Sequence, residues 1–297
     1  MSHLDDRGLM NTVSRIYIVV KVFLIFFFPV LLSAQDKFAI LFVANINGTL
    51  ENCGCGQHPL GGVDRCKTVI EQCRQNYPDL LVINGGDYFN SYSFLALNST
   101  LLKALPLLHF DLLVPGDQEF VEGKQFISKI RTIMGQSWFL SNTEQAAPKM
   151  KSLYFLKQQI NVYAYLSPNC FSFIHQPKDL VLNSVRPDFP DDNPDSFNLI
   201  VYHGSREEAY ELARTNPQIA LILLGHDQYS YADSIGHTLL VGAGRDAEFV
   251  VLLRIGRSGS EWKIKQEHIN LTETIPADKD ISALITSFKS NINQETN

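Results

Sequence analysis

Positive charge is in deficit in this sequence: 25 lysines and arginines face 31 aspartates and glutamates, a net charge of −6. A nucleic-acid surface needs a basic excess to neutralise phosphates, so general nucleic-acid binding is not expected. Cysteine is scarce as well. Five are too few for a disulfide scaffold, and the odd number leaves at least one thiol unpaired unless it pairs between chains. There is no Cys-x-x-Cys-His, which excludes c-type haem attachment by that motif. Internal repeats and low-complexity blocks are missing too. What is present is ordinary: 45% hydrophobic and 19% charged residues over 297 positions, enough for one large domain with a full core.

Residues 1–35 stand apart from that domain. Arg15 and Lys21 precede an apolar run over 22–32, which gives way to Ser33-Ala34-Gln35. A basic region, a short apolar stretch and small residues at a cleavage point predict a signal peptide. The other reading is an uncleaved anchor, since 16–34 is nearly long enough to span a bilayer, though Lys21 and Pro29 interrupt it. Either way the remainder is expected to be exported to the periplasm, cell envelope or medium, touching a membrane only through this segment. The domain is expected over 36–271, followed by a polar tail over 272–297 that holds a short helix around 281–288.

Hydrophobic patterning predicts strands at 38–43, 80–83, 111–115, 138–142, 197–202, 219–224, 238–241, 249–255 and 262–269, and a hairpin over 153–166. Helices are predicted at 63–77, at 91–110 with a break at Pro106, from 121 to about 134, and at 206–214. Residues 167–196 read as a long irregular loop. Strands alternating with helices, then a run of strands, predict an α/β fold of two stacked sheets with helices outside.

Five of the strands end in polar clusters: Asn45 and Asn47; Asn84 and Asp87; Asp117 to Glu119; His203; and His226 with Gln228. One such cluster means little, because turns favour the same residues. Five in this order over residues 37–270 resemble the successive signatures of the calcineurin-like metallophosphoesterases, in their 5′-nucleotidase-like branch. The first signature there is an apolar strand, Asp-x-His-Gly, a loop, and Gly-Gly-x-x-Arg. Here it reads Asn45-Ile46-Asn47-Gly48, a loop, and Gly61-Gly62-Val63-Asp64-Arg65. The loop Leu50-Glu51-Asn52-Cys53-Gly54-Cys55 is similar to one in a subset of exported bacterial relatives.

The resemblance implies a four-layer αββα sandwich of two mixed sheets flanked by helices, and two metal sites sharing one carboxylate. Asp87 matches the shared carboxylate. Site two would keep Asp87, Asp117, His203 and His226, a credible set for one divalent zinc, manganese or iron ion. Site one would have Asn45, Asn47 and Gln228 beside Asp87; neutral amides make a weak or lost metal site. The family's general acid and its orienting aspartate correspond to Gln118 and Val121, which can neither donate a titratable proton nor orient one. Glu119 is retained as a possible substitute. Loss of general acid catalysis costs about 10²–10⁴-fold. The expected function is therefore an impaired phosphoester hydrolase acting on a small phosphorylated molecule with one metal. The alternatives are an inactive binding module of the same fold, or a redox or soft-metal protein using Cys53 and Cys55 as a thiol pair. In the bland reading those two thiols pair with Cys66, Cys73 or Cys170.

Overall fold

The computed structural model describes residues 38–52, 59–144, 149–155, 158–185, 187–189 and 196–295. Residues 1–35 and the Cys53 and Cys55 loop lie outside these, so the leader and thiol-pair expectations are not addressed by the structure. In chain order the first half contains β1 (Phe38–Val43), α1 (Val63–Asn76), β2 (Leu80–Asn84), α2 (Leu95–Ala104), β3 (Leu112–Leu113) and α3 (Lys124–Met134). The second half contains β4 (Lys151–Phe155), β5 (Gln158–Leu166), β6 (Phe197–Gly204), α4 (Arg206–Thr215), β7 (Leu221–His226), β8 (Ser230–Ile235) and β9 (Thr238–Ala243). The chain then runs through β10 (Phe249–Ser258), β11 (Glu261–Asn270) and α5 (Lys279–Glu295).

Two mixed sheets result, ordered β11-β10-β1-β2-β3 and β4-β5-β6-β7-β9-β8. Strands β1, β2 and β3 run parallel in the first; β5, β6, β7 and β9 run parallel in the second. Every residue of β1 and β6 is buried, because each sheet is covered on both faces. Such strands read as unbroken apolar runs rather than as alternations. Successive side chains still separate: Ile40 and Phe42 meet Ile160, Leu199 and Leu223 between the sheets, while Leu41 and Val43 face α1 and α2. On the far side, Tyr163, Ile200 and Ile222 pack against Ala209 and Leu212 of α4. The layers are therefore helix, sheet, sheet, helix, as the sequence implied.

Three local expectations are corrected. Residues 138–142 form no strand; Trp138 makes one isolated bridge to Leu113, because β3 itself pairs for only two residues before the chain turns toward Asp117. Strand β8 was not expected, since its mostly exposed, polar sequence SYADSI carries no apolar period; antiparallel pairing to β9 defines it. The polar stretch after residue 271 carries α5, which is longer than the helix expected there. It buries Ile281 and Ile285 against α1 and α2. No helix of the described residues is long and apolar enough to cross a membrane.

Candidate metal centre

Parallel strands point their carboxyl ends the same way, and α/β sheets build sites there. Register brings these ends level: Val43 lies opposite Asn84, and Gly204 opposite His226. The turns beyond them are tight. Asn45, Asn47, Asp87 and His226 all adopt the left-handed backbone, with φ between 53° and 68°, a region that Asn, Asp and His tolerate better than most residues. Glu119 stitches two of the turns together. Its Oε1 accepts from Tyr88 N–H at 2.8 Å, and its Oε2 accepts from Asp87 N–H at 3.1 Å and Gly116 N–H at 2.5 Å. Burial, then the Asp87 carboxylate, push its carboxyl up to about 7. With both oxygens engaged and no exposed surface, Glu119 holds the Asp87 loop and cannot reach a leaving group.

His203 is wholly buried and closely cradled. A Cβ at Gly86, Gly116 or Gly225 would collide with its ring, so those positions admit only glycine beside this imidazole. Its Nδ1 lies 2.7 Å from Gly85 O. A carbonyl can only accept, so Nδ1 carries a hydrogen and Nε2 is the nitrogen turned to the site. Nε2 is 3.3 Å from Asp87 Oδ1 and 3.5 Å from Asp117 Oδ1; His226 Nδ1 is 3.4 Å from Asp117 Oδ1 and 3.9 Å from Asp87 Oδ2. Burial alone would lower His203, but Asp87 and then Asp117 hold it well above the usual imidazole range. The Asp117 carboxylate, then Cys170, raise His226. Burial alone would raise Asp117; His203 and His226 outweigh it and hold this carboxyl well below its usual range.

Asp117 Oδ1, His203 Nε2 and His226 Nδ1 are buried and have no hydrogen-bond partner. Orphaned buried polar atoms are uncommon, and three converging on one point call for a shared partner. Asp117, Cys170, His203 and His226 each offer a donor atom within 4.8 Å of the others, so the set fits a metal ion. Outer contacts also suit one, since the Nδ1–H to carbonyl bond fixes the tautomer and orientation that a ligating His203 needs.

The amide side of the same edge is different. Asn45 Nδ2 donates to Asp227 O at 2.9 Å and Gly244 O at 2.7 Å, while its Oδ1 accepts from His226 N–H at 2.8 Å. Asn47 Nδ2 donates to Gln228 Oε1 at 2.8 Å and Asp246 Oδ1 at 2.9 Å, and its Oδ1 accepts from Gln118 Nε2 at 3.1 Å. Gln228 Nε2 donates to His226 O at 3.1 Å. The carbonyl oxygens of Asn45, Asn47 and Gln228 are thus all in use. Val121, half-buried at the end of the short turn Gln118–Phe120, brings no polar group.

All the site residues expected from the sequence gather here, apart from Cys53 and Cys55, which lie outside the described residues. Cys66, Cys73 and Cys170 are buried free thiols among the described residues. The sequence reading missed Cys170 as a donor, and Asp227 and Asp246 as members of the amide network. Cys170 lies four residues past the end of β5, in an irregular stretch where no strand-end cluster marks it. A cleft of about 590 Å³ opens beside His226, lined by Arg206, Asp227, Tyr229 and Tyr231 among others. Arg206 is fixed there by Asp227 Oδ2 at 2.9 Å and lies over the Tyr231 ring at 4.0 Å.

No protein-family model matches the sequence, and no curated protein matches it. Solved structures do. A 5′-nucleotidase precursor from Thermus thermophilus is 14% identical with a TM-score of 0.68, over 86% of this chain and 59% of that one. The NAD nucleotidase of Haemophilus influenzae is 14% identical with a TM-score of 0.70, over 86% and 60%. A calcineurin-like phosphoesterase from Bacillus subtilis is 14% identical with a TM-score of 0.61, over 86% and 97%. This chain thus spans about three-fifths of the length of the two nucleotidases. At such identities the likeness concerns architecture: the chain has the calcineurin-like metallophosphoesterase fold in its 5′-nucleotidase-like form.

Proposed function

We propose that this is an exported protein of metallophosphoesterase fold that holds one divalent ion and hydrolyses small phosphorylated molecules only feebly. One contrast carries the reading: three donor atoms stand unpartnered at Asp117, His203 and His226, while the amides of Asn45, Asn47 and Gln228 are all taken up in hydrogen bonds with other groups of the protein. When bound, a divalent ion supplies Lewis acidity toward a phosphoryl oxygen. The remaining work falls to the protein. Arg206, at the first turn of α4 and lining the cleft, offers its guanidinium to an anionic phosphate. Gln118 sits where the family resemblance puts a proton donor, but its amide nitrogen is committed to Asn47 and holds no titratable proton. A poor leaving group therefore departs unprotonated, at a cost of about 10²–10⁴-fold.

Export rests on the basic–apolar–small pattern of residues 15–35. The net charge of −6 argues against nucleic acid as the partner. The test pairs metal analysis of the purified protein with turnover of an activated aryl phosphate and of a nucleoside monophosphate. The expectation is about one metal per chain, faint aryl phosphate turnover and still fainter nucleotide turnover. Two metals per chain would refute the assignment of the amides, and brisk nucleotide hydrolysis would refute the impairment. Metal without any turnover would favour a binding module of the same fold.

A further inference from the structure

Three of the four side chains around the orphaned atoms follow from the sequence reading; the fourth, Cys170, does not. Its sulfur belongs to the group of donors that lie within 4.8 Å of one another. Tetrahedral bonds of about 2.0–2.3 Å place donors about 3.3–3.8 Å apart, so modest side-chain rotations close the set. We propose that Cys170 is a thiolate ligand of this metal, making the centre a Cys-His-His-Asp site that takes zinc or a similarly thiophilic ion in preference to manganese or magnesium. The proposal rests on the reading that the centre holds one metal.

The local structure is built to present this sulfur. Cys170 ends a short 3-10 turn, Pro168–Cys170, that follows β5, and β5 lies parallel to β6 with Leu166 opposite His203. Ser167 Oγ accepts from Asn169 N–H at 3.2 Å, and the Ser167 and Asn169 side chains donate to Glu208 Oε1 at 3.0 Å and 2.6 Å. The turn is thereby moored to α4. The Cys170 thiol now donates weakly to His203 O at 3.6 Å, and the same carbonyl accepts from Ser167 N–H at 2.8 Å. Loss of the thiol proton on metal binding therefore leaves that carbonyl bonded. Cys170 is 2% exposed and forms no disulfide. A thiolate is the soft member that separates this set from an all-oxygen and nitrogen one, and softness is what selects zinc over manganese and magnesium.

Cobalt substitution of the full-length protein tests the proposal, since a cobalt–thiolate bond gives a charge-transfer band in the near ultraviolet. Wild type, Cys170→Ser and the double variant Cys53→Ser/Cys55→Ser are compared. The expected result is one cobalt per chain with the band in wild type and in the double variant, and no band in Cys170→Ser. Zinc affinity in Cys170→Ser should fall by more than the about 10–100-fold that losing an outer-shell partner costs. Zinc X-ray absorption on wild type needs no variant and should show one sulfur at about 2.3 Å. Bound metal with no sulfur neighbour, or a band lost only in the double variant, would overturn the role of Cys170 while leaving the one-metal reading intact. A folded wild type that binds no cobalt or zinc would overturn both.

Discussion

Two groups of side chains gather at the carboxyl ends of strands from both sheets and meet the same demand in opposite ways. The amide group answers burial by pairing inward: every oxygen of Asn45, Asn47 and Gln228 has a donor. The imidazole group leaves Asp117 Oδ1, His203 Nε2 and His226 Nδ1 unsatisfied. A buried polar atom without a partner costs about 1–3 kcal/mol, and more for charged groups. The first group avoids that cost because its amides can both donate and accept. The second group retains it, as a preformed binding site does. One side is thus a closed clamp and the other an open set of donors.

The hardest test of this contrast is to convert the clamp back. The variant Asn45→Asp, Asn47→His, Gln118→His, Val121→Asp should raise bound metal from one to two per chain and aryl phosphate turnover by about 10²-fold or more, because such residues act as a unit. Asn45→Asp alone should be destabilised without metal, since its second oxygen would face Asp227 O and Gly244 O. Added manganese should then raise its unfolding midpoint. A folded fourfold variant that still holds one metal would mean the amide side is not a converted site.

The next test dissolves the clamp. Asn45→Ala should cost about 3 kcal/mol in urea unfolding, because it orphans Asp227 O, Gly244 O and His226 N–H inside the protein, yet leave metal content at one per chain. Metal lost together with stability would show the two sides are not separable.

How far this contrast was legible in the sequence differs between its halves. The five strand ends were readable because apolar runs stop abruptly at Asn, Asp and His, and the parallel order brings them to one edge. The expectation that Asn45 and Asn47 are poor ligands also came from their chemistry. Their use as a closed network was not, because the partners Asp227, Gly244 and Asp246 lie about two hundred residues away and only folding brings them together. Cys170 escaped for a related reason, since a single cysteine in an irregular stretch shows its role only through its neighbours. The β8 strand and the length of α5 escaped because pairing and docking, rather than periodicity, define them.

The smallest test separates holding from reacting. Glu119→Gln should cost about 1–2 kcal/mol, because the new NH2 group would oppose backbone N–H donors at Gly116 and Asp87 or at Tyr88. Residual aryl phosphate turnover should change little in the variant that remains folded. A drop of about 10²-fold or more at unchanged stability would make Glu119 the missing acid after all.

The left-handed turns at Asn45, Asn47, Asp87 and His226 have an evolutionary corollary. Backbone shape at these corners admits a short menu of residues, and that menu contains both metal ligands and their neutral look-alikes. Asp and Asn differ by one terminal group and occupy the same corner with similar ease. A lineage can thus drop or regain a ligand here without rebuilding the loop that carries it. In this architecture chemistry is the replaceable layer and the corner is the inherited one.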